Sequence, residues 1–268
     1  MPHEIHHWSS GDYAISTFGK GTPTVACLGG LAYAPSDFHE VAKQLPGTAH
    51  IINNPIHTGA VARSTEWQKN LRGGYARVLN ETNADYILGH SCGGFDAINI
   101  SDDIASLKGL IMLTPPYGLP GNADEGRRTE FGLLDRCLAG LCEDMPDELY
   151  EQMIDDHAKE YGARVKDIYR HEIPKGREVV ANILERMRSS RVPILVILGS
   201  KDPWNLQGDF PFLGNHVSQR RIDNSHYPQR SNPEGVSTIA TEWIANVQNK
   251  IGAPSEVSTT EKPYLTVV

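Results

Sequence analysis

No stretch of about 18 apolar residues occurs anywhere in the 268-residue chain, so no segment has the length and composition to span a bilayer as a helix. Cysteine is scarce as well. Four in a chain of this length cannot make a disulfide scaffold, and all four are read as thiols, with Cys27 and Cys92 in apolar surroundings and Cys137 and Cys142 as helical core residues. Basic residues are outnumbered, 25 Lys and Arg against 33 Asp and Glu. The resulting charge of -8 leaves no basic face for nucleic acid or for an anionic membrane surface, and favours a small neutral or cationic substrate as partner. The opening residues Met1 to His7 lack the basic and then apolar layout of a secretory signal, which makes cytoplasmic the expected location. Internal repeats and low-complexity blocks are missing too.

What is present is an alternation. Apolar runs at Tyr13 to Phe18, Thr24 to Leu28, Ile51–Ile52, Tyr86 to Leu88 and Leu110 to Leu113 read as strands, and Phe38 to Leu45, Trp67 to Leu79 and Phe95 to Ile104 between them as helices. Gly73 and Gly74 weaken the second helix by about 1 kcal/mol each. Strands alternating with helices imply an α/β fold, a mostly parallel sheet covered on both faces. After Pro115–Pro116 the rhythm changes to helical periodicity alone, and residues 117–190 read as an inserted helical module. The sheet resumes at Ile194 to Leu198, a continuous apolar run suited to a central buried strand, and at His216 to Ile222. A last helix is marked by Asn232 as N-cap, Pro233 at its first position, and an apolar face of Val236, Ile239, Ala240, Trp243, Ile244 and Val247. The domain reading is therefore a core of 1–116 and 191–250, an insert of 117–190 and a tail of 251–268.

Chemistry enters at Gly89-His-Ser-Cys-Gly93, a G-x-S-x-G pattern between a strand and a helix. The pattern is short enough for chance to supply it, so its context decides. On a strained strand-to-helix turn Ser91 would project its hydroxyl above the sheet, and a Cβ at Gly89 or Gly93 would collide with neighbouring backbone. A serine hydroxyl is a poor nucleophile unless a histidine takes its proton and a carboxylate orients that histidine. Asp202 stands in the loop after the buried strand, in Gly199-Ser-Lys-Asp-Pro203, with Asp209 as a fallback acid. His226 stands between the last strand and the last helix, in Asn224-Ser-His-Tyr-Pro228. His90, expected to point away from the serine across the turn, competes with His226, as do His157, His171 and His216. The cluster His3, His6 and His7 has no further ligand pattern and reads as surface.

On these three motifs, in the order Ser, Asp, His, residues 10–249 resemble the α/β-hydrolase superfamily with a helical cap. The resemblance implies a sheet of about eight strands, a cap formed by 117–190, and a triad of Ser91, Asp202 and His226. It implies an oxyanion hole from the main-chain amides of Leu31 and Cys92, and no metal or organic cofactor. Where relatives carry a histidine in the oxyanion loop this chain has Gly29, and an Asp-x-x-Gly-x-Gly turn is replaced by Asn53 to Gly59. The function implied is a serine hydrolase opening an ester, lactone or related acyl bond of a small to medium apolar molecule. Other readings stay open: a cyclase, C–C hydrolase or lyase using His226 as base, an aminopeptidase of the proline iminopeptidase type with cap carboxylates from Glu143 to Asp156 on the substrate amine, or a small-molecule receptor. Neither substrate identity nor oligomeric state is readable.

Overall fold

The computed structural model describes residues 4–8, 11–30, 35–52, 65–115, 183–202 and 213–252. Eight strands form one sheet: β1 Glu4–Trp8, β2 Gly11–Gly19, β3 Thr24–Leu28, β4 Thr48–Ile52, β5 Tyr86–His90, β6 Gly109–Leu113, β7 Ile194–Gly199 and β8 Val217–Ile222. Their order is β1-β2-β4-β3-β5-β6-β7-β8. The β1–β2 and β2–β4 pairs are antiparallel, and every pair from β4 to β8 is parallel. All six strands from β4 to β8 thus end on the same edge, where loops can bring side chains from distant parts of the sequence together.

Strand alternation sends successive side chains to opposite faces, and both faces are covered. On one, Leu110, Met112, Ile194, Val196 and Leu198 pack with Tyr75, Val78 and Leu79 of α2 (Thr65–Glu81), with Ala97 and Ile98 of α3 (Cys92–Ile100), and with Ile183 and Met187 of α4 (183–188). On the other, Ile111, Leu113, Leu195 and Ile197 pack with Val41 and Ala42 of α1 (His39–Gln44) and with Val236, Ala240 and Ile244 of α6 (Pro233–Gly252). A short α5 (Pro228–Ser231) joins β8 to α6. β7 is buried along its whole length, in keeping with its apolar run, while β8 at the sheet's edge is half exposed.

Several boundaries differ from the sequence reading for identifiable reasons. Glu4–Trp8, including His6 and His7, is a strand whose partner is the adjacent β2, a pairing that short polar sequence does not announce. Helix α2 runs through Gly73 and Gly74 because Tyr75, Val78 and Leu79 bury almost completely, which outweighs the poor local propensity. Helix α3 begins at Cys92 rather than Phe95, since Gly93 and Gly94 hide its first turn, and it passes at Ser101 into a short 3-10 turn. Asn232 acts as the N-cap expected of it: its Oδ1 accepts the Gly235 amide at 2.9 Å. Residues 116–182 lie outside the described residues, and with them most of the expected cap, including His157 and His171; so do the tail from 253, Asp209 and His3.

Candidate active site

Ser91 follows the last residue of β5 and precedes the first of α3, with φ 52° and ψ -124°. A non-glycine residue at such a φ is held there by its surroundings. Its amide donates to Leu113 of β6 at 2.9 Å and its carbonyl accepts from Gly94 at 3.0 Å. The turn is also too tight for side chains on either flank. A Cβ at Gly89 would sit 2.4 Å from the Gly93 carbonyl oxygen, and one at Gly93 would sit 2.5 Å from that of Gly29.

Three loops at the carboxyl edge bring the sequence-selected side chains into one chain of hydrogen bonds. The Ser91 hydroxyl lies 3.0 Å from His226 Nε2, and His226 Nδ1 lies 2.9 Å from Asp202 Oδ2. A carboxylate can only accept, so Nδ1 carries the proton and Nε2 is the acceptor for the Ser91 O–H. All three are buried; Asp202 has no exposed surface at all. The arrangement is the one in which a serine proton can pass to an imidazole whose positive charge is matched by a buried carboxylate.

Sequence distance gives no hint of how far the His226 loop travels. β8 is separated from β5 by β6 and β7, so three interstrand spacings, roughly 14 Å, lie between the end of β8 and the serine turn. The segment after Ile222 crosses that distance lying flat on the strand ends. Ser200 donates its amide to the Ile222 carbonyl at 2.9 Å, and Lys201 donates to that of Asn224 at 3.0 Å. Gly199 is what lets the segment lie so close: a Cβ there would fall 2.4 Å from the Ser225 carbonyl oxygen. Asn224 Oδ1 accepts from the Ser225 amide and from the Ser231 hydroxyl, tying the loop to α5.

Other residues around the triad received no role from the sequence. His90 is buried, with its ring centroid 5.0 Å from that of His226 and 5.1 Å from that of Tyr227. Burial, followed by repulsion from His226, pushes its pKa down to about 3, against the smaller upward pull of its hydrogen bond to the His226 carbonyl and of Asp37 and Asp202. Its Nε2 hydrogen-bonds the His226 carbonyl oxygen at 2.9 Å. Thr114, just past β6, is fully buried at φ 43° and donates its hydroxyl to the same oxygen at 2.9 Å. Asp37, in the 3-10 turn Pro35–Phe38, forms a buried ion pair with Arg230 of α5. That pair joins the segment downstream of β3 to the one that follows His226.

His216, just before β8, lies away from the constellation, bonded to the Met187 carbonyl at 2.7 Å. Cys27 is a buried thiol whose pKa is pushed up to about 12 by desolvation, which leaves it unreactive. Of the two expected oxyanion donors, Cys92 contributes the first amide of α3, beside Ser91, and Leu31 lies outside the described residues. Among the described residues no cluster of three or more His, Cys, Asp or Glu is placed to hold a metal ion, and no helix is long and apolar enough to cross a membrane.

No family model and no curated protein sequence matches this chain. Solved structures do. An enzyme degrading N-acyl homoserine lactones, Est816, superposes with a TM-score of 0.68 at 16% identity over 90% of this chain and 100% of its own. The N-acyl homoserine lactonase AidH gives 0.67 at 14% identity over 93% and 99%, and the epoxide hydrolase CorEH 0.65 at 14% over 92% and 99%. With the parallel sheet and its connections, these similarities establish the α/β-hydrolase fold for this chain.

Proposed function

We propose that the chain is a serine hydrolase that opens an ester, lactone or related acyl bond of a small to medium apolar molecule through an acyl-Ser91 intermediate. The observation that carries this reading is the buried line Ser91 Oγ, His226 Nε2, His226 Nδ1, Asp202 Oδ2, with separations of 3.0 and 2.9 Å. It is supported by a fold that, in the structures similar to this one, accommodates lactone-degrading enzymes and an epoxide hydrolase. Fold alone does not choose among such substrates.

In this mechanism His226 accepts the Ser91 proton as Oγ attacks the carbonyl carbon, and Asp202 holds the resulting imidazolium through Nδ1–H. The tetrahedral oxyanion is met by the Cys92 amide, where the start of α3 favours negative charge, and by the amide of Leu31; losing either donor costs about 3 to 4 kcal/mol of transition-state stabilisation. His226 then returns its proton to the leaving oxygen, and water activated by the same ring releases the acid. The part of the insert that precedes α4 supplies the cap that closes the site and shapes the acyl pocket.

The test is Ser91→Ala, assayed with p-nitrophenyl butyrate and a fluorophosphonate probe. Turnover and labelling should both vanish, and labelling that persists at full rate sinks the assignment. Intact-mass measurement of an acyl adduct on Ser91 during slow turnover separates acyl transfer from chemistry in which His226 serves only as a base.

A further inference from the structure

The His226 loop ends far from its own strand, and its far end is fastened at a single atom. The main-chain carbonyl oxygen of His226 accepts two hydrogen bonds, from His90 Nε2–H at the end of β5 and from the Thr114 hydroxyl just past the end of β6, each at 2.9 Å. A carbonyl oxygen has two lone pairs, so both are used. The donors come from two adjacent strands and are rigidly based: Thr114 also donates its amide to the Ile197 carbonyl of β7 at 2.7 Å, and Ser91 donates its amide to Leu113. Thr114 holds a β-branched side chain at φ 43°, a conformation that persists only where the surroundings enforce it.

We propose that His90 and Thr114 are positioning residues that clamp the His226 main chain and thereby set the distance from its imidazole to Ser91. They touch neither Ser91 Oγ nor, by this geometry, the reacting atoms; they act through His226. Neutral donors suit the task. An imidazolium forms on His226 during acyl transfer, 5.0 Å between ring centroids from His90, and a second cation there would oppose it. The burial that keeps His90 uncharged at working pH removes that opposition. A carboxamide at position 90 could keep the donor, whereas a phenyl ring keeps the packing and loses it.

The inference rests on the Ser91 reading above, and the experiment separates the two. Turnover of p-nitrophenyl butyrate is measured for wild type, Ser91→Ala, Thr114→Val, Thr114→Ser, His90→Phe and His90→Gln. Thr114→Val and His90→Phe should each lower kcat about tenfold with KM within about twofold, as fits a buried hydrogen bond lost from a group that matters only once the substrate is bound. Thr114→Ser and His90→Gln should restore most of the rate. A general loss of stability would not produce this split of kcat from KM, nor rescue by the conservative variant. Should His90→Phe fail to fold, the near-isosteric Thr114→Val against Thr114→Ser decides. Wild-type kcat in Thr114→Val and His90→Phe, with none in Ser91→Ala, overturns the clamp alone; full activity in Ser91→Ala overturns the Ser91 reading and the clamp with it.

Discussion

Replacing His90 by glutamine should change how stability responds to acid, by an amount the structure fixes. An unfolded histidine titrates near 6.5, whereas the buried His90 stays neutral down to about 3. Between these values the unfolded chain binds a proton that the folded chain refuses, so stability rises with pH across this window and is lost as pH falls below about 6.5. At pH 5 the difference is about 1.5 pH units, or about 2 kcal/mol at 1.36 kcal/mol per unit. That is roughly a thirtyfold change in the folding equilibrium. Glutamine can place a donor near the position of Nε2 and does not titrate, so all other ionisable groups cancel when the two proteins are compared. Urea unfolding followed by tryptophan fluorescence at pH 7 and pH 5 gives the required double difference. Wild type should lose about 2 kcal/mol more than His90→Gln between the two, equivalent to roughly 4–8 °C in Tm. Parallel losses, equal within about 0.5 kcal/mol, would refute the argument, since they would mean that His90 takes up its proton in the folded protein as easily as in water.

The other expectations follow from single contacts. Asp202→Asn should preserve the fold yet lower kcat by about 10³- to 10⁴-fold with little change in KM, because an amide cannot hold the imidazolium and favours the wrong tautomer; steady-state kinetics on an activated ester reads this directly. Gly93→Ala puts a Cβ 2.5 Å from the Gly29 carbonyl oxygen and should cost about 3 kcal/mol of stability together with most of the activity, so an unchanged melting temperature would count against the elbow geometry. Asn232→Ala removes the cap on the Gly235 amide and should lower stability by about 1 kcal/mol, seen as a small drop in Tm with kcat intact.

The local features of this fold are written in short stretches of sequence because short-range physics decides them. The run Ile194 to Leu198 is apolar on both faces and becomes a strand buried on both. Asn232-Pro233 caps and starts a helix whose apolar residues recur at helical spacing. Gly89 and Gly93 flank Ser91 because the turn has no room for a Cβ, and the order Ser91, Asp202, His226 follows from which loops leave the carboxyl ends of which strands. Sequence alone therefore selected the three residues that the structure brings within hydrogen-bond distance.

What it could not select are groups whose meaning depends on neighbours distant in the chain. Strand order exists only in the folded sheet, and it is strand order that puts β8 three places from β5 and obliges the His226 loop to cross the strand ends. From that crossing come the need for glycine at 199, the two donors at His90 and Thr114 on one carbonyl, and the buried pair of Asp37 and Arg230, which are 193 residues apart. None of these has a local signature, because a hydrogen bond to a main-chain carbonyl can come from many residue types and an ion pair has no characteristic spacing. The sequence by itself determined which side chains could do the chemistry; only the tertiary structure decided how they are held, since that depends on distances between strands that no local pattern encodes.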